Sequence, residues 1–360
     1  NIWRFPYLAA KDGGGLFLVI YIVLALTFGF TLLTTEISIG RMTKQSPLTA
    51  YSKVKKGWGF MGVLACLVPM IIMPYYCVIG GWIVKYLIAF LTGDGVAASQ
   101  DGYFTNFITG DIQPIVFTVI FLFVTAFVVF RGVEKGIESF SKIIMPLLII
   151  LVLAIAIFSV TMKFTDAEGV TRTGLEGLKI YLVPNLEGLT VKHFFSVLLD
   201  AMGQLFFSLS VAMGIMVAYG SYVRDDANLV SSINQIEIFD TAVAILAGVM
   251  IIPAVFTFMG TEGMEASGPS LMFISLPKVF HAMGGVGIVV GCLFFAMVLF
   301  AAITSSVSIM EAIVASLMDK FHISRLKAAA IETVIALVGG IIVCLGYNKL
   351  YFDITLPNGA

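Results

Sequence analysis

Eight stretches, each apolar and nearly free of charge, decide what this chain can fold into. They run from about Leu16 to Glu36, Phe60 to Leu91, Gln113 to Phe130, Ile143 to Met162, Gly203 to Tyr222, Val230 to Met259, Val286 to Leu317 and Ala328 to Leu345. About 20 apolar residues cross a bilayer as a helix. With 59% hydrophobic and 12% charged residues, against roughly 45–50% and 25% in soluble domains, the chain is expected to be an all-α polytopic membrane protein. Net charge is −1 and no basic run occurs, so a nucleic-acid partner is not expected.

The opening segment, Asn1-Ile-Trp-Arg-Phe-Pro-Tyr-Leu-Ala-Ala, is too short to span and stops at Lys11, Asp12 and three glycines. It reads as half a helix. The loops after Gly40, Phe130, Tyr222 and Leu317 collect most of the Lys and Arg, and the others are acidic or mixed. Cationic loops stay on the cytoplasmic side, which predicts that the first segment and the last helix both run outward. Residues 163–192 and 260–285 are then external segments of a single transmembrane domain, 1–360, with no soluble domain.

One span is interrupted. Gly203 to Tyr222 has apolar flanks, but its middle, Ser208-Leu-Ser-Val-Ala-Met-Gly214, places two hydroxyls and a glycine at mid-membrane depth. A spanning helix can open only where protein or a water-filled cavity receives the freed amides and carbonyls, and such interruptions point to a transporter's binding site. An unbroken helix whose serines bond back to their own turn would carry the same residues. The stretch alone leaves both readings open.

Other polar residues lie deep in apolar runs, where each is a functional hypothesis by default. They are Asp240 in Ile236-Glu-Ile-Phe-Asp-Thr and the Thr304-Ser305-Ser306 triplet. With Asn1, Ser208 and Ser210 they form a hard-oxygen set that suits a hard cation and is poor for zinc or copper. Back-bonding is the plain alternative for the triplet, as a structural hydrogen bond is for Asp240. Cys66, Cys77, Cys292 and Cys344 lack metal-ligand spacing and read as packing residues. No histidine falls within a span near these serines, so a serine hydrolase is not expected. Both ends of the sequence read as cut.

Several motifs together resemble one family. Asn-Ile-Trp-Arg-Phe-Pro-Tyr before Gly-Gly-Gly, Gly40-Arg41, Tyr75-Tyr76, Arg131-Gly-Val-Glu-Lys-Gly-Ile-Glu, Gly203-Gln-Leu-Phe-Phe-Ser-Leu-Ser and Thr304-Ser-Ser look like the neurotransmitter:sodium symporters, nearest to their bacterial amino-acid carriers. The resemblance runs end to end. It implies an inverted repeat of five plus five helices with discontinuous segments, of which this sequence would hold half of helix one through helix nine.

It also implies roles. Asn1, Ser208 and Asp240 are similar to ligands of a first sodium. Ala301, Thr304 and Ser305 are similar to ligands of a second. Tyr76 looks like the tyrosine that binds the substrate carboxylate, and Ile72, Phe207, Ser208, Ser210, Met213, Ser305 and Ile309 match positions lining the substrate pocket. Arg4 and Phe207 look like the external gate. Asp240, close by resemblance to Tyr21 and Gln204, stands where animal members need chloride.

With these roles the resemblance implies a sodium-coupled symporter that imports a hydrophobic or aromatic amino acid by alternating access, without chloride and without enzymatic activity. Its partners would be the amino acid, two sodium ions and the bilayer, and its place the bacterial inner membrane. An ion channel, or another membrane carrier using the same polar cluster, is the competing reading.

Overall fold

A computed structural model describes residues 2, 4–166, 168–186, 189–264 and 268–351. The chain opens with a short α1, Arg4–Lys11, followed by α2, Gly15–Thr43. A cationic loop then carries α3, Pro47–Val54, and leads into α4, Gly59–Leu91. Next come α5, Gln113–Phe130, and α6, Val133–Thr161. After a hairpin, β1 Lys163–Thr165 and β2 Thr171–Thr173, the chain forms α7, Gly174–Leu182. The interrupted stretch gives α8, Val191–Ser208, and α9, Ile215–Tyr222. The last elements are α10, Leu229–Gly263, α11, Leu276–Ala282, α12, Gly285–Phe321, and α13, Arg325–Gly346.

Seven of these, α2, α4, α5, α6, α10, α12 and α13, are long and apolar enough to cross a membrane. Five of the eight expected spans match these helices to within about four residues at each end; α2 runs on to Thr43, seven residues past Glu36, α6 starts at Val133, ten residues before Ile143, and the eighth, Gly203–Tyr222, is broken into α8 and α9. The segment at 163–192 holds more structure than its mixed charge suggested. The β1–β2 hairpin pairs antiparallel with Phe164 opposite Arg172, and α7 starts on a capping box in which Thr173 and Glu176 satisfy each other's backbone N–H. That box closes two of the donors a helix N-terminus leaves open.

The apolar runs bury two main cores. One centres on α4, α5, α12 and α13, with Trp82, Tyr86, Phe273 and Phe295 among its largest buried side chains. The other joins α1, α2, α7, α8 and α10 around Phe5, Phe17 and Tyr21.

The broken helix sits against both. Its second half, α9, meets α2 backbone to backbone at two positions. A Cβ on Gly40 would stand 2.0 Å from the Val217 carbonyl oxygen, and one on Gly220 would stand 2.4 Å from that of Ile37. At the adjoining end Lys44 Nζ bonds the Val223 carbonyl at 2.7 Å and pairs with Asp225 at 2.8 Å, while Arg41 donates to the Asp225 carbonyl. The hydrogen bond and charge from Lys44 hold the Asp225 carboxyl below its ordinary value.

Candidate functional site

The site is built at the interruption. α8 stops at Ser208 and α9 starts at Ile215; Leu209 still donates to the Leu205 carbonyl and Gly214 accepts from Ala218, and between them the regular helical ladder is interrupted. Ser210, Ala212 and Gly214 all take left-handed backbone angles, with φ of 54°, 61° and 70°. Glycine accepts that conformation freely, whereas side-chain-bearing residues there are strained. The two non-glycine outliers mark a segment that its surroundings hold open.

Those surroundings can be named. Glu36 Oε1 accepts the Ala212 N–H at 2.6 Å, and the Val211 N–H reaches the Phe206 carbonyl at 3.2 Å. Gly214 lies against α3 and α4, where a Cβ would meet Pro47 at 2.7 Å and the Ala65 carbonyl at 3.0 Å. Pro69 has no N–H to offer the carbonyl four residues earlier, so Ala65 is left with an oxygen facing the break.

On one side of the opening stands the first group of oxygens. The Ser208 hydroxyl donates to Asp240 Oδ2, which joins α8 to α10. Tyr21 of α2 faces both, and Gln204 is buried one turn before Ser208. Asn1, expected to complete this group, lies outside the described residues.

The second group stands on α4 and α12. The Tyr76 phenol is within hydrogen-bonding reach of the Ser305 hydroxyl. The Thr304 hydroxyl donates to the Ala301 carbonyl at 2.9 Å and to the Phe300 carbonyl at 3.2 Å. This is the back-bonding alternative realised, and it draws Thr304 and Ala301 together at one point. Ser306 turns the other way and bonds Thr125 at 2.8 Å, so it serves packing. Oxygen donors without thiolate or imidazole fit an alkali cation in both groups.

Apolar residues fill the space between. Ile72, Tyr76, Met213, Ala301 and Ile309 share the larger core cluster. Ser210 is half-buried at the break. Phe207 is outside that cluster, and the Arg4 guanidinium sits 5.7 Å from the centre of its ring.

Three features escaped the sequence reading. Glu36 and the Tyr219–Ser308 bond of 2.7 Å bind the break and α9 to α2 and α12. At the basic end, Arg325 holds Glu311 with two 2.7 Å contacts while Tyr222 donates to the same carboxylate at 2.6 Å. At the opposite end Lys11 bonds Asp200 at 2.8 Å, tying α1 to α8. Asp12 beside them is buried, and burial pushes its carboxyl up to about 6 against the opposing pull of Lys11. Intramembrane carboxylates were the available signal for Glu36 and Glu311.

The sodium:neurotransmitter symporter family model matches residues 1–100 and 109–351. This chain belongs to the sodium:neurotransmitter symporter family. Among its relatives in that family is the sodium-dependent transporter YhdH of Bacillus subtilis, 34% identical over 388 residues that cover all of this chain and 81% of YhdH. A sodium-dependent transporter of Haemophilus influenzae is 31% identical, covering 98% of this chain and 77% of the relative. The human sodium- and chloride-dependent GABA transporter 2 is 26% identical over 91% of this chain and 60% of its own length. The crystal structure of MhsT in complex with L-phenylalanine superposes with a TM-score of 0.85 at 34% identity, covering 100% of this chain and 79% of MhsT. The symporter is thus a multi-pass, sodium-dependent membrane transporter with the family's inverted-repeat, discontinuous-helix fold, and not an enzyme.

Proposed function

We propose that this symporter imports an apolar or aromatic amino acid by alternating access, driven by two sodium ions and indifferent to chloride, in the bacterial inner membrane. The observation that carries the reading is the opened segment 209–214 set between two oxygen groups, Ser208–Asp240 and Tyr76–Ser305, with Ile72, Met213 and Ile309 as apolar walls.

A zwitterion fits this arrangement. Its carboxylate takes the Tyr76 phenol, and its ammonium takes carbonyls of the opened helix. Its side chain gains about 25 cal/mol per Å² of apolar surface buried against the walls. One sodium bridges Ser208 and Asp240, together with Asn1, and the other lies at Ala301, Thr304 and Ser305. Asp240, with Tyr21 and Gln204 around it, supplies the negative charge that chloride would otherwise bring. Arg4 over Phe207 closes the site from above. That MhsT is found with L-phenylalanine supports the substrate class.

The test is uptake of labelled leucine, phenylalanine and tryptophan into proteoliposomes holding the purified protein. Saturable uptake that needs a sodium gradient, persists when gluconate replaces chloride, and is outcompeted by apolar amino acids rather than glycine or glutamate is the expected result. A large electrodiffusive current without saturation would instead favour a channel.

A further inference from the structure

Glu332 lies two turns into α13, fully buried, and neither of its carboxyl oxygens has a hydrogen-bond partner among the described residues. The titratable groups facing it are the Cys66 and Cys77 thiols of α4. Cys66 in turn is within bonding reach of the Ser316 hydroxyl of α12, which donates to the Ala312 carbonyl at 2.7 Å. α5, the third helix packed on α13, contains no acidic or basic side chain.

Of the charges nearby in sequence, Lys327 is exposed and two others are paired elsewhere. Arg325 is held by Glu311 at 2.7 Å, and Asp319 accepts the Ser46 N–H at 2.6 Å. Among the described residues no cation reaches Glu332. An ionised carboxylate taken out of water without a partner forfeits its hydration, and a neutral carboxylic acid avoids most of that cost.

We propose that Glu332 is a proton-binding site, occupied in this conformation and separate from the Ser208–Asp240 group. α4 and α12, the helices that seal it, also carry Tyr76 and Ser305. Movement that spreads those two for substrate opens the same seam to water and lets the proton exchange. Proton occupancy is thereby linked to the transport cycle.

Infrared difference spectroscopy on the purified protein in lipid tests the assignment. At neutral pH, Glu332→Gln should lose one protonated-carboxyl C=O band present in the wild type, and Glu332→Asp should keep that band at a shifted position. Loss of a carboxylate band instead, or of no band, overturns the proposal. Should Glu332→Gln fail to fold, the wild type alone decides. Alkaline titration should remove the band and perturb the Cys66 S–H stretch, identified by Cys66→Ser, in the same step; an S–H stretch that ignores the titration counts against the site. The cycle linkage is read from uptake. The wild type should lose uptake over the pH range in which the band disappears, and Glu332→Gln should hold its uptake constant there. Identical pH profiles for the two proteins would dismiss the linkage.

Discussion

The Glu36 carboxylate accepts the Ala212 N–H at 2.6 Å, joining residues 176 apart in sequence across the opened part of the broken helix. The helix has no carbonyl to offer that amide, so an acid from α2 takes the role. Removing it strands a buried donor, which costs about 1–3 kcal/mol. Glu36→Ala should therefore lower thermal stability in detergent and cut sodium-driven uptake strongly. Glu36→Gln, whose amide oxygen can still accept, should fall between. Full uptake in the alanine variant would show that segment 209–214 is held open by other contacts.

Tyr76 and Ser305 meet across the site. A charge-assisted bond from the phenol to a substrate carboxylate is worth about 1.5–3 kcal/mol, and about 1.4 kcal/mol is a factor of ten in binding. Tyr76→Phe should raise the half-saturation concentration at least about tenfold, measured by initial uptake rates. Unchanged affinity would assign the carboxylate to another donor.

Replacing Thr304 and Ser305 together by alanine removes two hydroxyl oxygens from α12 while leaving the Ala301 carbonyl. Sodium activation of uptake should shift to higher concentration with expression unchanged. A sodium titration that overlays the wild type would remove these residues from the second cation site.

For Asp240 the expectation concerns anions. A carboxylate about 4 Å from sodium gains on the order of 4 kcal/mol at an effective dielectric near 20, before desolvation. Asp240→Asn should impair uptake and make the remaining activity respond to chloride, whereas wild-type uptake should be unchanged when gluconate replaces chloride. Wild-type uptake that collapses in gluconate would mean that Asp240 does not carry the compensating charge.

Asp12 gives a pH dependence of stability. Burial raises its carboxyl from 3.8 to about 6 in the folded protein, so above that pH the fold bears an ionised, buried acid. Falling pH relieves this cost progressively between about 6 and 3.8, and the folded state gains relative to the unfolded one. Asp12→Asn should be more stable than wild type on the alkaline side and should lose this part of the pH dependence. Thermal denaturation across that range, with Lys11 and Asp200 intact, measures it.

Much of this was legible in the sequence, and the reasons are local. Seven long spans are visible because lipid demands unbroken apolar runs, and the interruption is visible because Ser208, Ser210 and Gly214 break one of them. The Ser208–Asp240 and Arg4–Phe207 pairings were expected from motif resemblance and not from spacing. Glu36 could be noticed as an acid in a span, yet its partner is a backbone amide 176 residues away that no side-chain pattern announces. The 163–173 hairpin and α7 were hidden because polar, mixed-charge sequence lacks a strong period, although Thr173 and Glu176 spell the capping box that starts the helix.

The contact of Gly40 with Val217, and of Gly220 with Ile37, leaves no room for even a methyl group between α2 and α9. Sliding or splaying there breaks backbone contact at both points, so the two helices act as one lever. Lys44 and Arg41 clamp its far end to residues 223–225. A tilt imposed there passes along α9 to residues 209–214, where the helix is interrupted. An alanine at either glycine would not merely destabilise the bundle; it would put slack into the lever, and movement at the basic end would no longer be felt at the oxygens.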